Sequence, residues 1–478
     1  MTSEEVLSIF REITEIPRES GHEEKIVAWL QDFARRHSLE CKTDEAGNVL
    51  IVKEADPGME EVPAIVLQSH SDMVCEKNSG VSHDFSRDPI RYVIENGWMI
   101  AKDTTLGADC GIGMAAQLAA VTGNLRTGRI EALFTVAEET GLDGAKALKP
   151  GFISGRILIN LDSEDEGELF IGCAGGIDTT AYFSYAHEEI VPEDFRYYNV
   201  RISDCIGGHS GDDIDKGRAN AVNILARFLY SQSDKGFRLV RIDGGNKRNA
   251  IAREAEADVA VPVSMAEAFA AAFSSFAADV KSEFAVTDSD ISFLCEETAP
   301  VRDVIDRCTS DALVTSLFAA PHGVLAMSPD IPGLVETSTN LASVKMLQDN
   351  VIRVGTSQRS SVISEMRAAA MKVEACFRLA GARVSHESEY PGWKPDTHSD
   401  LLSRCVASYV RLFGQEPKVR AIHAGLECGL FLEKYPDLDM ISFGPTLRGV
   451  HAPGERLDLA SLDRFVRFLE DILVNYQK

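Results

Sequence analysis

The residues best suited to chemistry stand at the ends of three apolar runs. His70 and Asp72 follow AIVLQ, Glu138 and Glu139 follow IEALFTVA, and Asp162 follows ILINL. Short apolar runs separated by helical segments are typical of buried strands in a largely parallel sheet. Because ligands bind outside the carboxyl ends of the strands in open α/β sheets, we expect these side chains to face one crevice.

Two more residues join this set. Asp109 in TLGADCGIG precedes a helical stretch, and His451 in RGVHAPGE follows the predicted strand DMISFG. Taken alone, Asp162 also fits a helix cap or turn residue, and Glu138-Glu139 also fits a solvated turn. Together, two histidines and three carboxylates favour a pair of divalent ions, zinc before others. The carboxylates of Asp109, Glu139 and Asp162, with one hydroxide, balance the charge of two Zn²⁺.

Composition excludes several classes of function. The 478 residues carry a formal net charge of −26, which argues against nucleic acid and against an anionic membrane surface as partners. No apolar run is long enough to predict a transmembrane helix, and the N-terminus lacks the pattern of a signal peptide. The ten cysteines include no CxxC pair, so we expect reduced thiols and a cytoplasmic protein.

The order of the predicted elements indicates an α/β protein with an insertion. Strands and helices alternate over residues 1–184, and a similar alternation resumes over 386–478, so these two parts should form one catalytic domain. Residues 185–385 instead contain the pattern of an open sheet. Two segments of this region, beginning RNAIARE and STNLASV, share an order of Asn, strand and helix. We therefore expect an inserted α+β lid domain built from two related halves.

The motifs around the candidate residues resemble those of a known superfamily. The segments SHSD, LGADCGIG, AEET, LDSE and GVHAPGE are similar to the five metal-site segments of the di-zinc aminopeptidases and carboxypeptidases. The closer resemblance is to bacterial aminoacyl-histidine dipeptidases, also called Xaa-His dipeptidases or peptidase D and related to carnosinase. The segments that carry this closer resemblance are TTLGADCGIGMA, LDSEDEGELFIGCAGGID, GGHSG, YPGW and HAGLECGLF. The resemblance extends from the first helix to about residue 470.

The resemblance implies a mixed, largely parallel sheet flanked by helices and a centre with two Zn²⁺ per chain, for which Mn²⁺ or Co²⁺ can substitute. The implied ligands are His70, Asp109 and Asp162 for one ion and Asp109, Glu139 and His451 for the other, with Asp109 bridging. Asp72 would fix the tautomer of the His70 ring. Glu138 would be the general base that takes a proton from a metal-bridged water and passes it to the leaving amine.

The resemblance also implies roles for the inserted domain. His209 in GGHSG would donate to the substrate carbonyl oxygen, with a loop histidine among turn glycines as the alternative. Asn249 and Arg359 would hold the C-terminal carboxylate of the substrate, a task that suits the arginine fork. For Asn249, a capping residue at a strand edge remains an alternative. Glu427 and His423, in IHAGLEC, would read the amine or imidazole of the substrate.

These expectations combine into one functional hypothesis. The chain should be a di-zinc metallo-dipeptidase that hydrolyses Xaa-His and related dipeptides such as β-Ala-His, under a lid that excludes water. The alternative within the superfamily is a tripeptidase or an N-acyl amino acid deacylase. A scaffold protein without metal should have lost one of the ligands, and all are present. The expected partner is a small peptide substrate, and the protein should be a monomer or a homodimer.

Two residues depart from the pattern of the relatives. Cys110 stands where relatives more often have Asn, directly after a predicted ligand, where it could disturb the turn or become oxidised. Ala252 stands where they usually have Pro. Neither change removes a ligand, so we still expect activity.

Overall fold

The computed structural model describes residues 1–476, which divide into two compact units. The first unit comprises Met1–Gly172, Trp393–Ala421 and the described part of Leu426–Lys478. The second comprises Cys173–Gly392 and Ile422–Gly425.

An eight-stranded sheet forms the centre of the first unit. Its order is Glu40–Thr43, Val49–Lys53, Ile130–Thr135, Ile65–His70, Ile157–Asn160, Asp439–Ser442, Glu168–Cys173 and Lys418–Ile422. The four strands from Ile130–Thr135 to Asp439–Ser442 are parallel, and the next strand on each side, Val49–Lys53 or Glu168–Cys173, pairs antiparallel with them. Four shorter strands form a separate sheet, namely Leu447–Arg448, Arg456–Asp458, Trp98–Ala101 and Tyr92–Glu95.

Seven helices accompany these sheets in the described part of the first unit. They are Ser3–Thr14, Glu24–Arg36, Ala108–Thr122, Asp143–Ala147, Asp400–Phe413, Glu427–Lys434 and Leu459–Asn475. The helix Ala108–Thr122 is buried at every position from Cys110 to Val121, as its high content of small residues allows. At Gly113 a Cβ would lie 2.8 Å from the carbonyl oxygen of Leu161, so only glycine permits this close approach to the chain after a central strand.

The second unit is built on one continuous antiparallel sheet. Its order is Ser292–Glu297, Phe195–Ser203, Ala255–Pro262, Arg238–Gly244, Val335–Leu347, Val351–Ser360, Gly175–Ser184 and Arg383–Tyr390, with Gly323–Met327 paired to Val335–Leu347. The helices are Ala221–Ser231, Ala266–Glu283, Arg307–Ala319 and Ile363–Leu379. Two small pairs complete the unit, His187–Glu189 with Asp303–Ile305 and Gly208–His209 with Ala250–Ile251.

The predicted fold class, an α/β domain with an inserted α+β region, is confirmed. The parallel part of the first sheet is limited to its four central strands, which carry the apolar runs of the sequence. The units divide at Gly172 and Gly392, because the strands Gly175–Ser184 and Arg383–Tyr390 pair with each other in the second sheet.

One helical segment of the described residues, Val263–Glu283, has the length and hydropathy of a membrane span. Its Phe269 and Phe273 are buried in the core of the second unit, where they contact Phe228. A single segment of this kind is weak evidence for a membrane span.

Candidate metal centre and active site

The carboxylate of Asp109 lies between two histidines of the first unit. Its Oδ1 is 3.1 Å from Nε2 of His70, and its Oδ2 is 3.0 Å from Nε2 of His451. Asp162 Oδ1 lies 3.3 Å from the same nitrogen of His70, and Glu139 Oε1 lies 2.9 Å from that of His451. The structure therefore brings all five predicted ligands together around the two oxygens of Asp109.

These distances fit a metal centre. Two donors bound to one tetrahedral Zn²⁺ at about 2.0–2.2 Å are separated by about 3.3–3.6 Å, and the observed spacings of 2.9–3.3 Å lie at or slightly below that range. One oxygen of Asp109 faces each histidine, as a bridging carboxylate requires. His70, Asp109 and Asp162 would hold one ion, and Asp109, Glu139 and His451 would hold the other.

The electrostatics of the site favour cations. Hydrogen bonds to Asp109 and Glu139 raise the pKa of His451 to about 11, so this ring is itself held as a cation between two carboxylates. Burial raises the pKa of Asp162 to about 6, and the charge of His70 only partly opposes this effect. For Asp109, burial acts in the same direction, but hydrogen bonds from His451 and His70 hold its pKa far below the ordinary value.

Asp72 contacts both the predicted ligand His70 and the turn that carries Glu138, the predicted general base. Its Oδ1 lies 3.4 Å from Nδ1 of His70, in line with the predicted contact to that ring. The same carboxylate also accepts from the backbone N–H of Glu138 at 3.1 Å and of Glu139 at 3.2 Å, and from the Ser20 hydroxyl at 2.7 Å. Burial would raise its pKa, but these bonds and the charge of His70 lower it to about 2.

Glu138 and Glu139 differ sharply although they are neighbours. Glu139 contacts His451, whereas burial raises the pKa of Glu138 well above its ordinary value, and the charges of Asp162, Glu427 and Glu139 raise it further. The negative charge of Glu138 is therefore costly, and its carboxylate is a strong base.

Cys110 is a donor that sequence reasoning did not include among the ligands. One donor atom each from His70, Cys110 and Asp162 lie within 4.8 Å of one another, and the thiol donates to the Leu161 carbonyl oxygen at 3.2 Å. The thiol is buried, and burial raises its pKa, together with the charge of Asp162. The signal in the sequence was that Cys110 directly follows the predicted ligand Asp109.

Glu455 is a second residue that sequence reasoning missed. It is 2% exposed, and its carboxylate accepts four backbone N–H groups of the loop that carries Asp109. The distances are 2.7 Å from Leu106, 2.9 Å from Gly107, 2.8 Å from Ala108 and 3.3 Å from Asp109. Because Glu455 also lies four residues after the predicted ligand His451, it connects two of the segments that are predicted to bind metal.

Within the second unit, the predicted lid residues lie close together. His209 pairs with Ala250 across a two-residue ladder, and the carbonyl of Asn249 accepts from the N–H of Ser210 at 2.9 Å. The Ser210 hydroxyl in turn lies 3.4 Å from Nε of Arg359. The exposed side chain of Asn249 has no hydrogen bond among the described residues.

The His209 ring is held by its own loop. Its Nδ1 accepts from the backbone N–H of Gly211 and of Asp212, each at 3.3 Å. These two bonds favour a proton on Nε2, the tautomer that an oxyanion donor needs, whereas the Asp212 carboxylate, whose Oδ2 lies 3.5 Å from Nδ1, favours a proton on Nδ1.

The two residues predicted from HAGLEC are both buried. Glu427 is 1% exposed and accepts from Gln68 at 2.6 Å and from Thr135 at 2.8 Å, while its Oε1 has no partner among the described residues. Burial raises its pKa to about 8. His423, in the second unit, contacts the Ser338 hydroxyl through Nε2 at 2.7 Å.

Comparison with known proteins gives a consistent family. The model of "Peptidase family M20/M25/M40" matches residues 66–475. The cytosol non-specific dipeptidase of Escherichia coli (strain K12) is 38% identical over 467 residues, which are 97% of this chain and 96% of that protein.

Solved structures agree with this family. The aminoacylhistidine dipeptidase from Vibrio alginolyticus superposes with a TM-score of 0.91 at 38% identity, covering 98% of this chain and 96% of that one. The aminopeptidase PepT from Bacillus cereus reaches a TM-score of 0.58 at 16% identity, covering 100% of this chain and 99% of that one. The second match shows the fold alone.

Proposed function

This chain belongs to peptidase family M20/M25/M40, and from that premise we propose that it is a two-zinc dipeptidase acting on Xaa-His and related dipeptides such as β-Ala-His. The resemblance read from the sequence motifs and the predicted enzyme class, a peptide hydrolase, are thereby confirmed. The dipeptide and Xaa-His specificities are carried over from the names of the relatives in Escherichia coli and Vibrio alginolyticus.

The observation that carries the proposal is the position of Asp109 between His70 and His451, with Asp162 and Glu139 completing two donor sets. When bound there, two divalent ions polarise the scissile carbonyl and lower the pKa of water. Nitrogen and carboxylate donors suit Zn²⁺, and they also accept Mn²⁺ or Co²⁺.

Glu138 is proposed as the proton carrier. Its raised pKa lets the carboxylate take a proton from the attacking water and return it to the nitrogen of the leaving amine. Asp72 holds this turn through the backbone N–H of Glu138 and of Glu139, so the base keeps its place while the proton moves.

For the second unit we propose a substrate-binding role. Nε2–H of His209 would donate to the carbonyl oxygen as negative charge develops on it. Arg359 would bind the C-terminal carboxylate of the dipeptide together with Asn249. Arg359 is 8% exposed and forms no ion pair with any described carboxylate, so its charge is available to an anionic substrate group.

Glu427 and the location of the protein complete the proposal. Glu427 is proposed to contribute to recognition of the substrate amine, for which its Oε1 offers an acceptor. We also propose a cytoplasmic location, following the name of the Escherichia coli relative, and a monomeric or homodimeric state.

A substrate panel tests the proposal directly. The metal-loaded protein is assayed with dipeptides that vary in the C-terminal residue, including β-Ala-His, beside tripeptides and N-acyl amino acids. We expect hydrolysis of dipeptides, fastest among those with C-terminal His. Preferred cleavage of tripeptides or acyl amino acids would replace the dipeptidase proposal by those activities, and absence of bound metal would refute the two-zinc centre.

A further inference from the structure

One row of the second sheet joins three residues from three separate motifs or segments. Gly176 of CAGGID lies on the strand Gly175–Ser184, between two neighbouring strands. Arg359 is its partner on one of them, and Tyr390 of YPGW is its partner on the other. Arg359 and Tyr390 therefore lie on either side of Gly176, which has no side chain to separate them.

The missing side chain at Gly176 lets the tyrosine ring cross the strand. A Cβ built there would lie 2.6 Å from Cε1 of Tyr390 and 2.7 Å from its Cζ and hydroxyl oxygen, closer than real Cβ contacts. On the other edge of the ring, a Cβ at Gly425 of HAGLEC would lie 3.0 Å from Cε2. Two glycines from motifs far apart in the sequence thus form a socket that fits the ring of Tyr390.

The ring in this socket brings its hydroxyl to the guanidinium. Nη1 of Arg359 donates to the Tyr390 oxygen at 3.1 Å, while Nε faces the Ser210 hydroxyl at 3.4 Å. Burial raises the pKa of the Tyr390 hydroxyl, so it remains neutral and accepts this bond at neutral pH. Both oxygens that contact the guanidinium are neutral, so they orient the group without cancelling its charge.

We propose that Tyr390, held between Gly176 and Gly425, is a positioning residue that sets Arg359 for the C-terminal carboxylate of the substrate. This inference rests on the proposed dipeptidase function. It assigns one shared task to the motifs CAGGID, YPGW and HAGLEC, which otherwise carry no common role. A guanidinium fixed at two of its donors loses less freedom when the carboxylate binds, so the effect should appear in KM.

The test is Tyr390→Phe in the full-length, metal-loaded enzyme, which removes only the hydroxyl. KM is measured for a dipeptide and for the same dipeptide with a C-terminal amide. We expect KM for the acid to rise about tenfold, with kcat within about twofold, while KM for the amide stays unchanged. Tyr197→Phe is the matched control, since that hydroxyl donates to the Val301 carbonyl at 2.9 Å in the same unit, and it should change neither value.

Gly176→Ala provides a second variant, because its added methyl group displaces the ring instead of removing the hydroxyl. It should give the same acid-specific rise in KM, and it decides the question if Tyr390→Phe fails to fold. Equal effects on acid and amide, or an unchanged KM for the acid, would overturn the inference and leave the dipeptidase proposal intact. An unmodified enzyme that cleaves no dipeptide would overturn both.

Discussion

Replacing Glu455 with glutamine tests whether one buried carboxylate organises the loop of the bridging ligand. Oε2 accepts from Leu106 and Gly107, and Oε1 accepts from Ala108 and Asp109. Glutamine keeps one oxygen and turns an NH₂ group toward the other two backbone donors. At about 1.5 kcal/mol for each lost hydrogen bond to a charged group, the free energy of unfolding of the first unit should fall by about 3 kcal/mol.

Two measurements follow this change. Urea unfolding of the full chain, fitted with separate transitions for the two units, gives the loss of stability. Metal titration gives the effect on the site, because Glu455 joins the loop of Asp109 to the segment that carries His451. We expect Glu455→Gln to bind less than two metal ions per chain at a metal concentration that saturates the unmodified protein.

The control is Glu95→Gln, an exposed carboxylate of the same unit, which should change stability by less than about 0.5 kcal/mol. If Glu455→Gln matches this control in both stability and metal content, the four hydrogen bonds do not organise the site and the reasoning is refuted. A loss of stability with normal metal content would limit Glu455 to a structural role.

Three further predictions address the site and the second unit. Glu138→Gln should lower kcat by about 10²–10⁴-fold while two metals remain bound, and near-normal turnover would reject its role as base. Asp109→Ala should lose both metals in elemental analysis, whereas His451→Ala should lose one; equal losses would refute the bridge. Burial lowers the pKa of His423 to about 3, so below pH 6.5 the unfolded chain binds a proton that the folded chain does not. Stability should therefore fall by about 2 kcal/mol between pH 6.5 and pH 5, and His423→Gln should remove that slope; an unchanged slope would contradict it.

Much of the candidate metal centre could be predicted from local sequence. His70 and Asp162 come at or just after the ends of strands whose apolar runs mark them as buried, and neighbouring parallel strands place their carboxyl ends at one edge. The positions of Asp109 and His451 are less local, since Asp109 lies in the first turn of the helix Ala108–Thr122, where its own backbone is not helical, and His451 lies on a loop. Their roles were implied by family resemblance, and the structure supplies the geometry in which the two sides of one carboxylate face two histidines.

Glu455 and Tyr390 could not be predicted from the sequence for the same physical reason: each acts on a residue far away in the chain. Glu455 lies 346 positions from the N–H of Asp109, and Tyr390 reaches Arg359 only through a glycine on the strand between them. A single sequence does not show which distant segments come into contact, and it does not show that the lack of a side chain at Gly176 is what lets Tyr390 reach Arg359. Cys110 differs, because its neighbour was already a predicted ligand, yet the direction of its thiol depends on the backbone around it.

The contrast between Glu138 and Glu139 explains how two identical side chains acquire different tasks. Asp72 accepts from both backbone N–H groups, which fixes the turn and sends the two side chains in different directions. Glu139 reaches His451, and its charge is thereby compensated, whereas Glu138 is left in a buried, negative environment that raises its pKa. Bound divalent ions would lower that pKa toward the working pH, because nearby positive charge favours the carboxylate. The negative charge around Glu138 would therefore favour bound cations, and it makes the carboxylate of Glu138, which forms no ion pair with any described residue, a stronger base.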